Sequence, residues 1–90
     1  MNITIKSLDD DRYNLKKPVK MSVVWDESLF IGEIKEIGVY VYGDTKQELI
    51  KQAKEDIMEL YEDLIGFPDE LLGEHPLKWK IFLMEIIKYE

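Results

Sequence analysis

The sequence predicts a small α+β domain, with strands in its first half and helices in its second. Three observations lead to this prediction. Short runs rich in β-branched and aromatic residues occur before Gly43, a helix-capping motif follows at Thr45, and an apolar stripe with helical spacing extends from there to Leu64. We therefore expect a three- to four-stranded antiparallel sheet packed by one long helix and followed by a second, C-terminal helix.

The length and composition of the chain are those of a single globular domain. Its 90 residues suffice for one hydrophobic core but not for two independent ones. Hydrophobic residues make up 46% and charged residues 34%, a balance unlike that of disordered chains. We therefore treat residues 1–90 as one domain.

Strand patterns fill the first half of the chain. A loose alternation at Ile3, Ile5 and Leu8 predicts a short edge strand that ends in the polar turn 9–12. The clearest strand follows Pro18, where every second residue is apolar and falls on one face: Val19, Met21, Val23 and Trp25.

A hairpin and a further strand complete the predicted sheet. The polar residues 26–28 form a tight connection to the apolar run 29–34, which predicts an antiparallel pair. Another run, Val39 to Tyr42, stops at Gly43. We expect the aromatic residues of this half and of the last helix to pack in the core or in interfaces: Trp25, Phe30, Tyr40, Tyr42 and Trp79.

The first helix has a start signal, a period and a stop signal. Thr45 and Glu48 have capping-box spacing, in which the hydroxyl accepts an N–H of the first turn and the carboxylate returns to the N–H of the cap residue. Gly66 and Pro68 end the pattern. Apolar residues between them recur every three or four positions, which predicts one buried face: Leu49, Ala53, Ile57, Leu60 and Leu64.

The final segment, Pro76 to Tyr89, predicts a second helix that begins with a proline. Its apolar residues spread around most of the helix, more than a single buried face requires. We therefore expect self-association into a homodimer or higher homo-oligomer through apolar residues of this helix: Trp79, Phe82, Leu83, Ile86 and Ile87.

Charge limits the choice of partners. Nineteen acidic and twelve basic side chains give a formal charge of −7, which repels nucleic-acid backbones and complements basic proteins. The acidic residues of the first helix cluster opposite its apolar stripe. They form either a solvated face or, together with an acidic turn, a docking surface for a basic protein: Glu48, Glu55, Glu59, Glu62, Asp9, Asp10 and Asp11.

The sequence predicts no catalytic, metal-binding or cofactor-binding residues. Cysteine is absent, and the one histidine, His75, immediately precedes a proline at a helix start. A two-metal site would need carboxylates on adjacent strands and a helix, for which Asp26, Glu33 and Glu48 are the candidates. Asp26 lies at a turn and Glu48 serves the helix cap, so only Glu33 is clearly borne by a strand. No long apolar run or signal peptide is present, so we expect a cytoplasmic protein with no membrane contact.

Residues 29–34 and 37–50 resemble the HicB-like antitoxin domain family. The resemblance lies in a strand pair followed by Gly43-Asp44-Thr45, a turn that caps a helix, and it extends to about half of the chain with residues 19–25 and 53–57. The C-terminal pattern is most similar to uncharacterised short prokaryotic members of the family.

The resemblance implies a partial RNase H-like fold that lacks the nuclease carboxylates and acts by binding. It implies neutralisation of a small basic mRNA-cleaving toxin, a partner that would suit the acidic balance of this chain. Two other functions stay open from the residues alone. One is a structural protein that only oligomerises, and the other is a metal-dependent hydrolase or nuclease using Glu33 and neighbouring carboxylates.

Overall fold

The computed structural model describes residues 1–89 and confirms the α+β class. Its six strands are β1 (Asn2–Ile5), β2 (Tyr13–Leu15), β3 (Val19–Asp26), β4 (Leu29–Ile34), β5 (Val39–Gly43) and β6 (Ile87–Tyr89). The two α-helices are α1 (Lys46–Ile65) and α2 (Glu74–Ile86), and short 3-10 turns occupy Lys35–Ile37 and Asp69–Leu71.

Four strands form the main antiparallel sheet in the order β1-β3-β4-β5. The β3–β4 hairpin has Asp26 opposite Leu29, and the first of its two turn residues, Glu27, has a positive φ of 58°. A 3-10 turn separates β4 from β5, and Gly38 follows it with a φ of 62°. Three consecutive strands thus lead directly into α1.

The predicted cap begins α1. The Thr45 hydroxyl oxygen accepts the Glu48 N–H at 3.1 Å, and a Glu48 carboxylate oxygen accepts the N–H of Asp44 at 3.1 Å. The second bond reaches one residue further back than a capping box predicts. It ties the turn between β5 and α1 to the first turn of the helix.

The core lies between the sheet and the two helices. Four of the five predicted stripe residues of α1 are buried, together with Tyr61, and Leu60 is half-buried beside them. Alternate residues of β3 and β5 face the helices, including Val23 and Val41. The sheet therefore has one covered face and one open face.

Three of the strand aromatics lie outside the core of the single chain, so for them only the interface part of the prediction stays a prediction. Tyr40 and Tyr42 alternate with inward-facing valines and are more than half exposed on the open face. Trp25 is 56% exposed because the last three residues of β3 extend past the core. Its ring packs against Phe30, with 4.4 Å between ring centroids.

The second helix is shorter than predicted. It ends at Ile86, and Ile87–Tyr89 form β6, which pairs with β2 in a separate two-stranded sheet. The Lys16 N–H donates to the Ile86 carbonyl at 2.6 Å. The partner strand lies more than 70 residues earlier in the chain, a pairing that no local periodicity reveals.

The apolar surface predicted for oligomerisation is mostly part of the core. Leu83, Ile86 and Ile87 are buried within the single chain. Trp79 and Phe82 are partly buried and pack against the same core, with the Trp79 ring lying over Gly38. These five side chains therefore pack against the sheet and helices of their own chain.

Gly43 is expected to be essential for the approach of α1 to the sheet. A Cβ at this position would lie 2.7 Å from the Leu49 backbone nitrogen and 3.0 Å from its Cα. Gly43→Ala should lower the free energy of unfolding by about 1–3 kcal/mol, the usual range for overpacking. Gly66→Ala is the control in denaturant unfolding, because only ordinary contacts of 3.5 Å or more surround it. Equal stability of both variants would contradict this account.

Truncation along α2 distinguishes core packing from surface packing. Leu83→Ala removes a fully buried side chain and should cost about 2–5 kcal/mol in thermal or denaturant unfolding. Ile81→Ala, on the exposed side of the same helix, should change stability by less than about 0.5 kcal/mol. If the two losses were equal, α2 would not pack as described.

Candidate binding surface

Several of the predicted acidic residues form ion pairs within the chain. Lys54 on α1 forms an ion pair with Asp9, and Arg12 forms a bidentate pair with Asp10, at 3.1 and 3.2 Å. Arg12 also lies 3.7 Å from the Glu62 carboxylate. These contacts fasten the loop after β1 to one flank of α1, and their charges are largely satisfied.

The titration behaviour of this loop follows from its contacts. The hydrogen bond from Lys54 lowers the pKa of Asp9, and the hydrogen bonds from Arg12 lower the pKa of Asp10. The same Asp10 contact raises the pKa of Arg12. On the adjoining strand, burial raises the pKa of Tyr13. Asp9 and Asp10 are therefore ionised at neutral pH and already paired.

A first groove lies beside this loop, with a volume of about 400 Å³. Its apolar lining comes from Leu8, Ile50 and Met58, and its charges are mixed, because two lysines of α1 accompany Asp9 and Glu55. The predicted residue Glu55 thus lies next to Lys51 and Lys54. Mixed charge gives this groove no preference for a basic ligand.

A second groove, of about 340 Å³, lies between β5 and the opposite flank of α1. We call it the acidic groove. Val39 and Leu60 supply its apolar part, and Tyr40 lies at its edge. Three carboxylates from successive turns of α1 complete it: Asp56, Glu59 and Asp63.

The carboxylates of the acidic groove have no cationic partner in the part of the chain that the structure describes. Among residues 1–89, no ion pair involves Asp56, Glu59 or Asp63, and only Asp56 has a side-chain hydrogen bond, from Gln52 at 2.7 Å. Nearby, the Tyr40 hydroxyl donates to Glu33 at 2.8 Å, which raises the pKa of Tyr40. The groove is therefore a locally negative surface with an apolar base.

The sequence identified only one of these three carboxylates, Glu59. At about 100° per residue, Asp56 and Asp63 lie between the apolar stripe and the outer face of α1. The helical wheel places them on the flank that contains Leu60. Which flank faces β5 depends on the direction in which the helix crosses the sheet, and the pattern of α1 alone cannot supply that direction.

The other residues considered for chemistry lie apart. Asp26 lies at the turn end of the β3–β4 hairpin. Glu33 lies opposite Ser22, which precedes Asp26 by four residues along β3, so Glu33 and Asp26 are about 13 Å apart. Glu48 is engaged in the α1 cap. Within residues 1–89, no group of three His, Cys, Asp or Glu side chains is arranged to hold a metal ion.

The acidic groove suits cationic side chains chemically. The alkyl part of a lysine or arginine can lie on Val39 and Leu60 while its charged end reaches a carboxylate. Asp11 and the paired residues of the loop lie on other parts of the surface. Most of the residues predicted for oligomerisation lie in the core. The exposed large apolar residues of α2 are instead Ile81 and Met84.

Carboxyl titration tests the loop contacts. In Arg12→Ala, the pKa of Asp10 should rise toward 3.8 while that of Asp9 stays lowered, and Lys54→Ala should do the reverse. NMR titration of the carboxyl carbons measures both values. Since a lowered pKa stabilises the folded chain above about pH 4, each contribution is lost as the pH falls through the folded-state pKa. Unchanged values in both variants would refute the pairing.

Within residues 1–89, no helix is long and apolar enough to cross a membrane. Comparison with protein-family models, with curated protein sequences and with solved structures gave no match to this chain.

Proposed function

We propose that this chain is a non-enzymatic protein-binding domain that holds a basic partner protein at the acidic groove. The observation that carries the proposal is the set of three carboxylates that form no ion pair within residues 1–89, beside an apolar base. A basic partner supplies the missing charges and buries the apolar part at the same time. Both effects favour association.

The overall charge supports the same class of partner. A formal charge of −7 attracts basic proteins over long distances and speeds their encounter, especially at low salt. Since Asp9, Asp10 and Glu62 are already paired, the unpaired groove is the part of α1 where that attraction becomes specific contact.

The resemblance to HicB-like antitoxins supports a more specific partner, a small basic mRNA-cleaving toxin. It rests on residues 29–50, which form β4, β5 and the capped start of α1. In this proposal the chain has a partial RNase H-like fold, neutralises its partner by binding and works in the cytoplasm.

A structural role in self-assembly is the second candidate. Several large apolar side chains at the connection between the helices and on α2 are exposed and could pack against another copy: Ile65, Phe67, Leu71, Ile81 and Met84. Sedimentation of the purified chain separates the two candidates, because a monomer at tens of micromolar removes this one.

Charge reversal within the groove tests the binding proposal. The tagged chain is used to capture proteins from its native cells at moderate salt, and the retained proteins are identified by mass spectrometry. Glu59→Lys/Asp63→Lys should weaken a basic partner's affinity by about tenfold or more, since two attractive contacts become repulsive. Thermal unfolding should barely change, because both side chains are exposed.

The matched control is Glu70→Lys/Glu85→Lys. It changes the net charge by the same amount at exposed positions outside the groove. Retention of the partner by this control and loss by the groove variant supports the proposal. Equal effects would show that net charge alone governs binding, and capture of no basic protein would count against the proposal.

A further inference from the structure

The outer edge of β5 is unpaired in the described part of the chain. β5 is the last strand of the main sheet, and no other strand within residues 1–89 pairs with that side. Hydrogen bonds identify the backbone groups that point outward. At the opposite edge, Val23 N–H donates to the Met1 carbonyl at 2.7 Å, and the Met1 amine donates to the Val23 carbonyl at 3.2 Å. Val23 therefore directs its backbone groups toward β1, and its neighbour Val24 directs them toward β4 and Ile31.

The same alternation continues to β5. Because Ile31 bonds toward β3, Gly32 bonds toward β5 and its opposite residue, Val41. The groups of Tyr40 and Tyr42 must then point away from the sheet. No backbone or side-chain hydrogen bond within residues 1–89 uses them. The edge thus offers two N–H donors and two carbonyl acceptors. Their spacing matches the hydrogen bonds that an added antiparallel or parallel strand would make.

The strand itself carries none of the usual protections of an edge. Its sequence, Val-Tyr-Val-Tyr-Gly, contains no charge, no proline and no bulge. Such an edge pairs readily with another extended chain. The side chains beside the edge determine which extended chain can pair with it.

The carboxylates of the acidic groove favour a basic chain over a second copy of this one. A second copy paired through β5 would bring its own Asp56, Glu59 and Asp63 beside the same residues of the first, and the like charges would oppose pairing. An added strand with basic side chains on its helix-facing side meets the opposite charge instead. The carboxylates span about 10 Å along α1, and alternate strand residues are about 7 Å apart, so two basic residues fit this length.

We propose that β5 accepts an extended basic segment of a partner protein as a fifth strand, with alternate Lys or Arg side chains held by the acidic groove. Backbone groups of Tyr40 and Tyr42 provide affinity, and the carboxylates select the sign of the partner's charge. The inference rests on the proposed function and specifies how the partner is held.

A proline substitution isolates the backbone contribution. Tyr42→Pro removes one outward N–H while leaving the bonds to β4, a position at which a sheet tolerates proline. Tyr42→Val is the matched control, because it removes the same ring and keeps the N–H. The probe is a fluorescent peptide with blocked ends in which lysine and valine alternate over four pairs. Its binding is measured by fluorescence anisotropy. Thermal unfolding confirms that both variants fold.

We expect the peptide to bind Tyr42→Pro about tenfold more weakly than the wild type, and Tyr42→Val within about twofold of it. Exchange of the Tyr40 and Tyr42 amides, measured by NMR, should slow by about tenfold or more when the peptide is bound. Equal binding to all three proteins, unchanged amide exchange, or no binding at about 1 mM peptide would overturn strand addition.

The capture experiment separates this inference from the proposed function. If Glu59→Lys/Asp63→Lys loses a basic partner that Tyr42→Pro retains, the groove binds the partner without strand addition. If neither variant nor the wild type captures a basic protein, the proposed function itself fails.

Discussion

The corner between β5 and α1 determines how the rest of the molecule is arranged. Gly43 has no side chain, so the backbone of Leu49 can pass close to the end of the strand. Thr45 and Glu48 then fix the first turn of the helix by paired hydrogen bonds. This close start aims α1 across the sheet, places its apolar stripe on the core and leaves one flank beside the free edge of β5.

The corner also explains why acidic residues on one helix have different roles. On the flank near the loop after β1, Glu62 of α1 forms an ion pair with Arg12 of the loop, and Lys54 of α1 forms one with Asp9 of the loop. On the β5 flank, no basic side chain within residues 1–89 approaches Asp56, Glu59 or Asp63 closely enough to form an ion pair. A net charge of −7 therefore says little about which surface binds, and the placement of the twelve basic residues decides it.

Local signals in the sequence predicted local structure well. The Thr45 cap and the spacing of Leu49, Ala53 and Ile57 gave α1 nearly to the residue, because both depend on contacts within a few positions. The β2–β6 pair was missed, since Tyr13 and Tyr89 meet only after the chain has folded. For the same reason the outer stripe of α1 was recognised while the groove flank was not.

The position of the acidic groove joins two requirements that usually conflict. An edge strand that offers its backbone to a partner also offers it to copies of itself, and proteins commonly prevent this by placing charges on the strand. Here the strand stays uncharged, and the charges stand on the neighbouring helix, beside the path of any added strand. Asp56, Glu59 and Asp63 can thus oppose self-pairing without occupying the hydrogen-bonding groups of Tyr40 and Tyr42. In the proposed complex, the backbone groups of the strand supply affinity for any extended chain, and the helix carboxylates add affinity only for a basic one, which makes them the source of selectivity.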